Sequence, residues 1–216
     1  MKVVVISDTH WMYPEIQIPE CDLLLHAGDL EIKNFKEGVH FSSWWNNIEA
    51  KVKVVTPGNH DFLFERDLET AIGYLDNTYV LINESIVLDN GLVISGTPYT
   101  PRFMKWAFMV DDDGNADRYF GCISPETDII LSHGPAYGIH DEVSNEYATK
   151  DSHVGSKTLR KIIDSLDNRP RYLFQGHIHG NAGSTRHSKV NEMDIYNVSV
   201  ADEDYKVAFK PLILEI

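Results

Sequence analysis

Short apolar runs alternate with amphipathic segments along the chain, and this alternation predicts a mixed α/β fold. The runs are rich in Val, Ile and Leu, and each ends at a cluster of His, Asp, Asn or Gly, which is typical of buried strands. Five such runs occupy residues 3–6, 23–25, 52–55, 129–131 and 172–174. Apolar side chains recur every three or four positions over residues 35–48, 62–75 and 156–166, which predicts helices between the strands.

Two further segments predict that the sheet, or sheets, also contain antiparallel strands. Residues 86–88 and 92–94 flank an Asn90-Gly91 pair, which favours a type I′ hairpin turn. Near the end of the chain, residues 195–200 and 205–216 have the composition of two more strands. The sequence contains no repeat and no Pro/Gly-rich linker, so we expect one domain over residues 1–216.

The segment of residues 101–122 has no clear period. Residues 102–108 fit either a helix or a loop that covers part of the molecule. The acidic run of residues 111–115 invites comparison with a calcium loop, but it lacks the alternating ligands and the distal Glu of an EF-hand. We therefore predict an exposed turn at residues 111–115.

Composition excludes several classes of function. The 216 residues carry 19 Lys and Arg against 33 Asp and Glu, a net charge of −14, which argues against a protein that binds duplex nucleic acid or anionic membranes. Cys21 and Cys122 are too far apart for a thiolate zinc motif, so we expect two buried thiols. The chain shows neither a secretory signal nor a membrane-length apolar run, so we expect a cytoplasmic protein without a membrane partner.

Polar clusters follow five of the predicted strands. They are Asp8-Thr9-His10, Gly28-Asp29, Gly58-Asn59-His60-Asp61, Ser132-His133-Gly134 and Gly176-His177-Ile178-His179. Each cluster alone fits a capped turn or a structural histidine. Because the carboxyl ends of neighbouring strands meet at one edge of an α/β sheet, the five together predict a common site.

The donors in these clusters favour a pair of metal ions. Besides His60, they offer two carboxylates, one Asn carbonyl and four imidazoles, a set that suits Mn or Fe, with Zn also possible. Seven donors exceed what one ion with an open position uses, so one carboxylate can bridge two ions. Two ions about 3.5 to 4 Å apart bind phosphate oxygens and lower the pKa of a bridging water. This chemistry is typical of a phosphoester hydrolase.

The order D-x-H, G-D, G-N-H-[DE], H and G-H-x-H over residues 8–179 resembles the calcineurin-like metallophosphoesterase superfamily. The resemblance implies two packed mixed β-sheets flanked by α-helices. It implies one ion on Asp8, His10, Asp29 and His179, and a second on Asp29, Asn59, His133 and His177, with Asp29 as the bridge. It further implies that His60 faces the substrate and either assists the leaving oxygen or stabilises the phosphorane, and that Asp61 orients or charge-matches His60.

A narrower resemblance is carried by Gly96-Thr97-Pro98-Tyr99-Thr100-Pro101, Trp106-Ala107-Phe108, Ser132-His133-Gly134-Pro135 and His153-Val154-Gly155. These segments are similar to the metallophosphodiesterase branch that includes the MPPED proteins and is grouped with class III cyclic-nucleotide phosphodiesterases. Ser156 stands where relatives often have Cys, and Gly180 stands where they often have Glu. Some relatives lack the first His of the last motif; His177 is present here, which favours an active enzyme.

We therefore expect a phosphodiesterase acting on small diesters, such as cyclic nucleotides. The alternatives are a phosphomonoesterase or protein phosphatase on the same site, and a non-catalytic metal-binding scaffold. Trp11 and the Trp44-Trp45 pair are candidates for stacking on a nucleobase, although the helix predicted over residues 35–48 favours core packing for at least one of Trp44 and Trp45. Arg102 and Lys105 fit either a phosphate contact or a solvated surface. The sequence leaves the oligomeric state open.

Overall fold

The computed structural model describes residues 1–143, 152–166, 170–181 and 187–216. Its strands are β1 (Lys2–Ile6), β2 (Cys21–Ala27), β3 (Ala50–Thr56), β4 (Thr78–Val80), β5 (Glu84–Val87), β6 (Val93–Thr97), β7 (Thr100–Pro101), β8 (Met109–Val110), β9 (Ile129–Ser132), β10 (Tyr172–Gln175), β11 (His187–Val190), β12 (Met193–Asn197) and β13 (Leu212–Glu215). Its α-helices are α1 (Phe35–Trp45), α2 (Phe62–Arg66), α3 (Leu68–Ile72), α4 (Ala116–Phe120) and α5 (Lys157–Ser165). Short 3₁₀ helices occupy His10–Glu15 and His179–Asn181.

The strands form two mixed sheets. The first has the order β13-β1-β2-β3-β4, in which β1 to β4 are parallel and β13 is antiparallel to β1. The second has the order β11-β12-β10-β9-β6-β5, with four parallel inner strands and antiparallel edges at β5 and β11. The prediction of mixed sheets is confirmed, and β7 and β8 add a short parallel pair.

Alternation along the strands places the two sheets face to face. Val3 and Val5 belong to the same core cluster as Ile129 and Leu131 of the second sheet. Val4, between them in sequence, points to the other face and packs with α1 residues such as Phe41. On the outer face of the second sheet, Ile130 packs with Leu159 of α5. The layers are therefore helix, sheet, sheet, helix, because strands with both faces buried need apolar cover on each side.

Several predicted elements differ from the structure in extent. The helix predicted over residues 62–75 is broken into α2 and α3 at Asp67, whose carboxylate caps α3 by accepting a hydrogen bond from Thr70 N. Residues 102–108 contain no helix. The strand predicted over residues 205–216 is reduced to β13, because residues 201–207 form a tight loop. Across the described ranges, every helix is too short or too polar to cross a membrane.

Candidate metal centre

The seven predicted metal-binding residues all lie just beyond the carboxyl ends of parallel strands. In chain order they are Asp8 and His10 after β1, Asp29 after β2, Asn59 after β3, His133 after β9, and His177 and His179 after β10. Hydrogen bonds join the two sheets at this edge, two of them made by predicted ligands. His133 Nδ1 donates to Ala27 O at 2.9 Å, and His177 N donates to Asp8 Oδ1 at 3.0 Å. The structure therefore brings both halves of the predicted set together.

The backbone at this edge is strained. Asp8, His10, Asp29 and His177 have φ values of 55°, 44°, 59° and 71°, in the left-handed region that side chains with a Cβ seldom adopt. Each such residue costs roughly 1 to 3 kcal/mol and persists only where surrounding contacts impose it, which is typical of functional sites. Gly28 has a φ of 93°, and a Cβ at this position would collide with the His133 ring.

Asp8, His10 and His179 form the first cluster of donors. Each offers one atom, and the three atoms lie within 4.8 Å of one another. His179 Nε2 is 3.3 Å from His10 Nε2 and 3.4 Å from Asp8 Oδ1. Burial raises the pKa of the Asp8 carboxyl, but contact with His179 and its neighbours outweighs burial and lowers the pKa below its ordinary value.

Asp29, His133 and His177 form the second cluster, again with donor atoms within 4.8 Å of one another. His133 Nε2 lies 3.4 Å from Asp29 Oδ1 and 2.9 Å from Asn59 Oδ1. Burial and the nearby His133 lower the pKa of His177 to about 3. His177 is therefore a neutral imidazole at neutral pH, the form that binds a metal ion.

The Asp29 carboxylate stands between the two clusters. Its Oδ2 is 3.9 Å from His10 Nε2 in the first cluster, and its Oδ1 is 3.4 Å from His133 Nε2 in the second. Burial raises the pKa of Asp29, but His133, His60 and His10 together lower it. The carboxylate thus reaches both clusters, as a bridging ligand must.

Three of the imidazoles are fixed from behind through Nδ1. His10 Nδ1 lies 2.8 Å from Glu31 Oε2, His133 Nδ1 donates to Ala27 O, and His179 Nδ1 donates to Asp202 O at 3.1 Å. A carbonyl oxygen only accepts, so Nδ1 carries the proton in the last two, and Nε2 presents a lone pair to the centre. Outer hydrogen bonds of this kind are usual for histidines that bind metals.

Asn59 directs its side-chain oxygen toward the centre. Oδ1 faces His133 Nε2, whereas the buried Nδ2 has no hydrogen-bond partner among the residues that the structure describes. Leaving a buried donor unpaired costs about 1 to 3 kcal/mol. Asn59 Oδ1 thus lies beside the lone pair of His133 Nε2, and two such acceptor atoms attract one another only through a cation between them. The nitrogen and oxygen donors, with no thiolate among them, fit ions such as Mn, Fe or Zn.

Comparison with known proteins agrees with this geometry. The model of the calcineurin-like phosphoesterase family matches residues 1–181. The chain belongs to this family. The resemblance deduced from the motifs is confirmed, and the protein is a metal-dependent phosphoesterase of a family that uses a dinuclear metal site.

Individual relatives of this phosphoesterase differ widely in size. It is 30% identical over 200 residues to probable rhamnogalacturonate lyase C of Emericella nidulans, covering 85% of this chain and only 17% of that protein. It is 26% identical over 238 residues to human metallophosphoesterase domain-containing protein 1, covering 100% of this chain and 71% of that protein. The solved structure of TT1561 from Thermus thermophilus shares the fold, with a TM-score of 0.59, 11% identity, and coverage of 93% of this chain and 91% of that one.

His60 of this phosphoesterase faces Glu31, which the sequence analysis did not identify. His60 Nδ1 lies 3.1 Å from Glu31 Oε2, and the same oxygen contacts His10 Nδ1. Burial lowers the pKa of His60, but Asp29 and Glu31 outweigh burial and raise it to about 9. The signal in the sequence was a single acidic residue between Leu30 and Ile32, and Glu31 is 1% exposed.

The Asp61 carboxylate is bound by backbone N–H groups. It accepts hydrogen bonds from the backbone N–H groups of Leu30, Ile32 and Gly58, at 3.1, 3.0 and 2.8 Å. In the structure, backbone donors use this carboxylate, and Glu31 rather than Asp61 faces the His60 ring, so the described contacts do not support the prediction that Asp61 orients or charge-matches His60. Asp61 instead ties together the loops that follow β2 and β3.

Exposed or half-buried aromatic rings surround the centre of this phosphoesterase. We call Trp11, Phe103, Trp106 and Tyr205 the aromatic rim. Trp11 lies 6.4 Å from His10, Trp106 4.5 Å from His60, and Phe103 5.8 Å from His177, measured between ring centroids. Tyr205 lies 4.8 Å from His10. Trp11 was a sequence candidate, whereas no local pattern identified Tyr205.

The other candidates for substrate contact lie elsewhere. Trp45, the last residue of α1, is fully buried, and Trp44 is partly buried against the same core. Arg102 binds Asp111 Oδ1 at 3.0 Å and Met109 O at 2.8 Å, which supports its role as a surface residue, and Lys105 is exposed. The cation beside the site is Lys33, which pairs with Glu31 and lies 4.9 Å from the Trp11 ring centroid.

Ser156, one of the departures from the narrower family pattern, caps a helix. Its Oγ accepts a hydrogen bond from Leu159 N at 3.0 Å and donates to Asp112 Oδ1 at 3.1 Å. Asp112 also accepts from Lys157 N at 2.6 Å. The acidic run of residues 111–115 therefore stabilises the first turn of α5, where a carboxylate interacts well with the helix dipole.

Proposed function

We propose that this phosphoesterase hydrolyses small phosphodiesters. One metal ion would be held by Asp8, His10, Asp29 and His179, and the other by Asp29, Asn59, His133 and His177. The observation that carries this assignment is the convergence of imidazole Nε2 atoms and carboxylate oxygens, with Nδ1 atoms fixed behind them. Bound ions would activate water and neutralise phosphate oxygens.

The charges around the centre support a diester as the substrate. A phosphomonoester is largely a dianion at neutral pH, whereas a diester carries one negative charge. Lys33 pairs with the Glu31 carboxylate, so this lysine offers no unpaired charge to a second anionic oxygen of a monoester. The aromatic rim offers apolar rings to an ester substituent. A monoanion with an organic group on each side of the phosphorus matches these surroundings.

His60 is the residue we propose as the general acid. Its Nδ1 faces the Glu31 carboxylate, which leaves Nε2 to give a proton to the leaving oxygen. The raised pKa of His60 supplies the protonated form at neutral pH. Glu31 would hold the ring in this orientation and stabilise the imidazolium, the role that we first predicted for Asp61.

Cyclic nucleotides and related diesters are the substrates that we propose within this class. Trp11 is 57% exposed and lies beside His10, so its ring is accessible for stacking on a base. We also propose one domain over residues 1–216 and a cytoplasmic location. The free thiols of Cys21 and Cys122 support a reducing compartment.

The test is hydrolysis of bis-p-nitrophenyl phosphate and p-nitrophenyl phosphate by chelator-treated protein, with and without added Mn²⁺. We expect turnover that depends on the metal and favours the diester. Turnover of the monoester alone would contradict the diester assignment and indicate a phosphatase. A protein that binds Mn²⁺ but hydrolyses neither compound would contradict the catalytic proposal itself.

A further inference from the structure

The loop of residues 201–207, which we call the C-terminal loop, reaches the metal centre from beyond the residues that the family model matches. Its backbone supplies the Asp202 carbonyl that accepts the hydrogen bond from His179 Nδ1. Its Tyr205 ring lies 4.8 Å from His10 and 5.2 Å from His179 between centroids, in edge contacts. The loop therefore contacts two predicted ligands of the same ion.

Hydrogen bonds within the C-terminal loop fix the direction of Tyr205. The Asp202 carboxylate accepts from Asp204 N at 3.0 Å and from Lys206 N at 2.9 Å, and Asp202 O accepts from Tyr205 N at 3.1 Å. Ala201 and Val207 pair as an antiparallel bridge that closes the loop. Tyr205 is held at a φ of 58°, an unfavourable conformation for a bulky residue. These hydrogen bonds compensate for the strain. In this conformation the Tyr205 ring lies beside His10 and His179.

Gly180 allows the C-terminal loop to approach. A Cβ at residue 180 would collide with the Glu203 carboxylate, so a larger residue would displace the loop or its acidic side chain. Gly180 is the second departure from the narrower family pattern, in which Glu often occupies this position. The close approach of the Glu203 side chain thus depends on a residue that distinguishes this chain.

Tyr205 also borders the place where a leaving group must lie. An alcohol that receives a proton from His60 has to sit beside the His60 ring. That ring has Trp106 at 4.5 Å and Tyr205 at 6.5 Å between centroids. Tyr205 is 42% exposed, so the ring contacts the histidines and still presents surface to solvent beside them.

We propose that Tyr205 contacts the leaving group and that the C-terminal loop makes the site selective for leaving alcohols that carry a flat apolar ring. The proposal rests on the proposed function, because it places the leaving group by the role of His60. The phenol ring provides the contact, in the edge or offset arrangement that aromatic rings prefer. Tyr205 is thus a residue that determines specificity, whereas the Asp202 carbonyl positions His179.

The experiment compares two ligands that differ only in the ring. Phenylphosphonate and methylphosphonate have the same charge and are not hydrolysed, so their binding to Mn²⁺-loaded protein can be measured by calorimetry. The variant is Tyr205→Asn, because Asn tolerates the left-handed backbone and leaves the loop in place. Tyr205→Phe keeps the ring, and Tyr79→Asn removes an exposed tyrosine on β4 as the matched control.

We expect Tyr205→Asn to reduce the preference for phenylphosphonate over methylphosphonate by about 3- to 10-fold, the usual size of one aromatic contact. Tyr205→Phe and Tyr79→Asn should keep the preference, and all variants should retain their Mn²⁺ content. An equal loss of affinity for both ligands, or loss of Mn²⁺ from Tyr205→Asn, would overturn the proposal. Failure of the proposed function would instead appear as a wild-type protein that shows the preference but hydrolyses no diester.

Discussion

Replacing Glu31 by Gln tests the contact that links a predicted metal ligand to the proposed acid. Glu31 Oε2 lies 2.8 Å from His10 Nδ1 and 3.1 Å from His60 Nδ1, and Lys33 pairs with the other oxygen. Gln has the same shape but is neutral, and one of its two oxygens becomes an amide donor. Both imidazoles contact the same oxygen of Glu31. In Gln, either that atom becomes an amide donor that faces both rings, or it remains an acceptor without its charge while Lys33 faces the amide nitrogen.

The size of the effect follows from these two contacts. A hydrogen bond to a charged group contributes about 1.5 to 3 kcal/mol and a neutral one about 0.5 to 1.5, so the hydrogen bond of His10 weakens by about 1 to 2 kcal/mol. His60, whose Nδ1 faces the same oxygen as an ion pair, loses the attraction of a full charge. Removing an outer contact of a metal ligand typically lowers activity or metal affinity by roughly 10- to 100-fold. We expect Glu31→Gln to lower kcat for bis-p-nitrophenyl phosphate by about 10- to 100-fold, and to weaken binding of one Mn²⁺ by about 10-fold.

The assay is steady-state kinetics together with Mn²⁺ titration of the chelator-treated protein by calorimetry. Glu192→Gln is the matched control, because Glu192 also pairs with a lysine, Lys189, but lies exposed between β11 and β12. That variant should match the wild type in both measurements. Unchanged kcat and unchanged Mn²⁺ affinity in Glu31→Gln would refute the role assigned to Glu31.

Three further substitutions separate the other roles. Asp29→Ala should lose bound Mn²⁺ and more activity than the roughly 10- to 100-fold typical of outer contacts, and full metal content with normal turnover would contradict the bridge. His60→Ala should keep its Mn²⁺, by plasma mass spectrometry, while kcat falls by about 10²- to 10⁴-fold; metal loss would make it a ligand. Asp61→Ala should lower the free energy of unfolding in urea by about 3 kcal/mol or more, since three backbone donors lose their acceptor. A decrease below about 1 kcal/mol would show that those donors find other partners.

The strands and the candidate ligands were predictable because both depend on local patterns. A strand buried on both faces must be continuously apolar, and the side chains just after it are free of that demand. Asp8 and His177 stand out for this reason, because each is a polar residue two positions after the end of its strand, β1 or β10. The topology then brings them together, since His177 N donates to the Asp8 carboxylate across the two sheets.

Local patterns failed where a contact between distant residues decides the structure. The apolar period over residues 62–75 continues through Asp67, but its carboxylate binds Thr70 N and starts a new helix there. Tyr205 follows an acidic run with no distinctive pattern, and it reaches His10 because the C-terminal loop folds back past Gly180. Nothing near Tyr205 in the sequence encodes that approach.

The outer contacts of the centre explain why the role predicted for Asp61 falls to Glu31 in our proposal. Metal ligands are chemically distinctive residues, so a motif identifies them, but the atoms that orient them are often ordinary ones. His133 and His179 are fixed by the backbone carbonyls of Ala27 and Asp202, which any residue at those positions would provide.

Where the outer partner of a site residue is a side chain, it need not come from the neighbouring position in the sequence. Asp61 directly follows His60, yet its carboxylate accepts hydrogen bonds from backbone N–H groups. The carboxylate that faces the His60 ring belongs to Glu31, in the loop after β2. Contacts around an active site are set by which strand ends adjoin, so they follow the order of strands in the sheet rather than the order of residues in the chain.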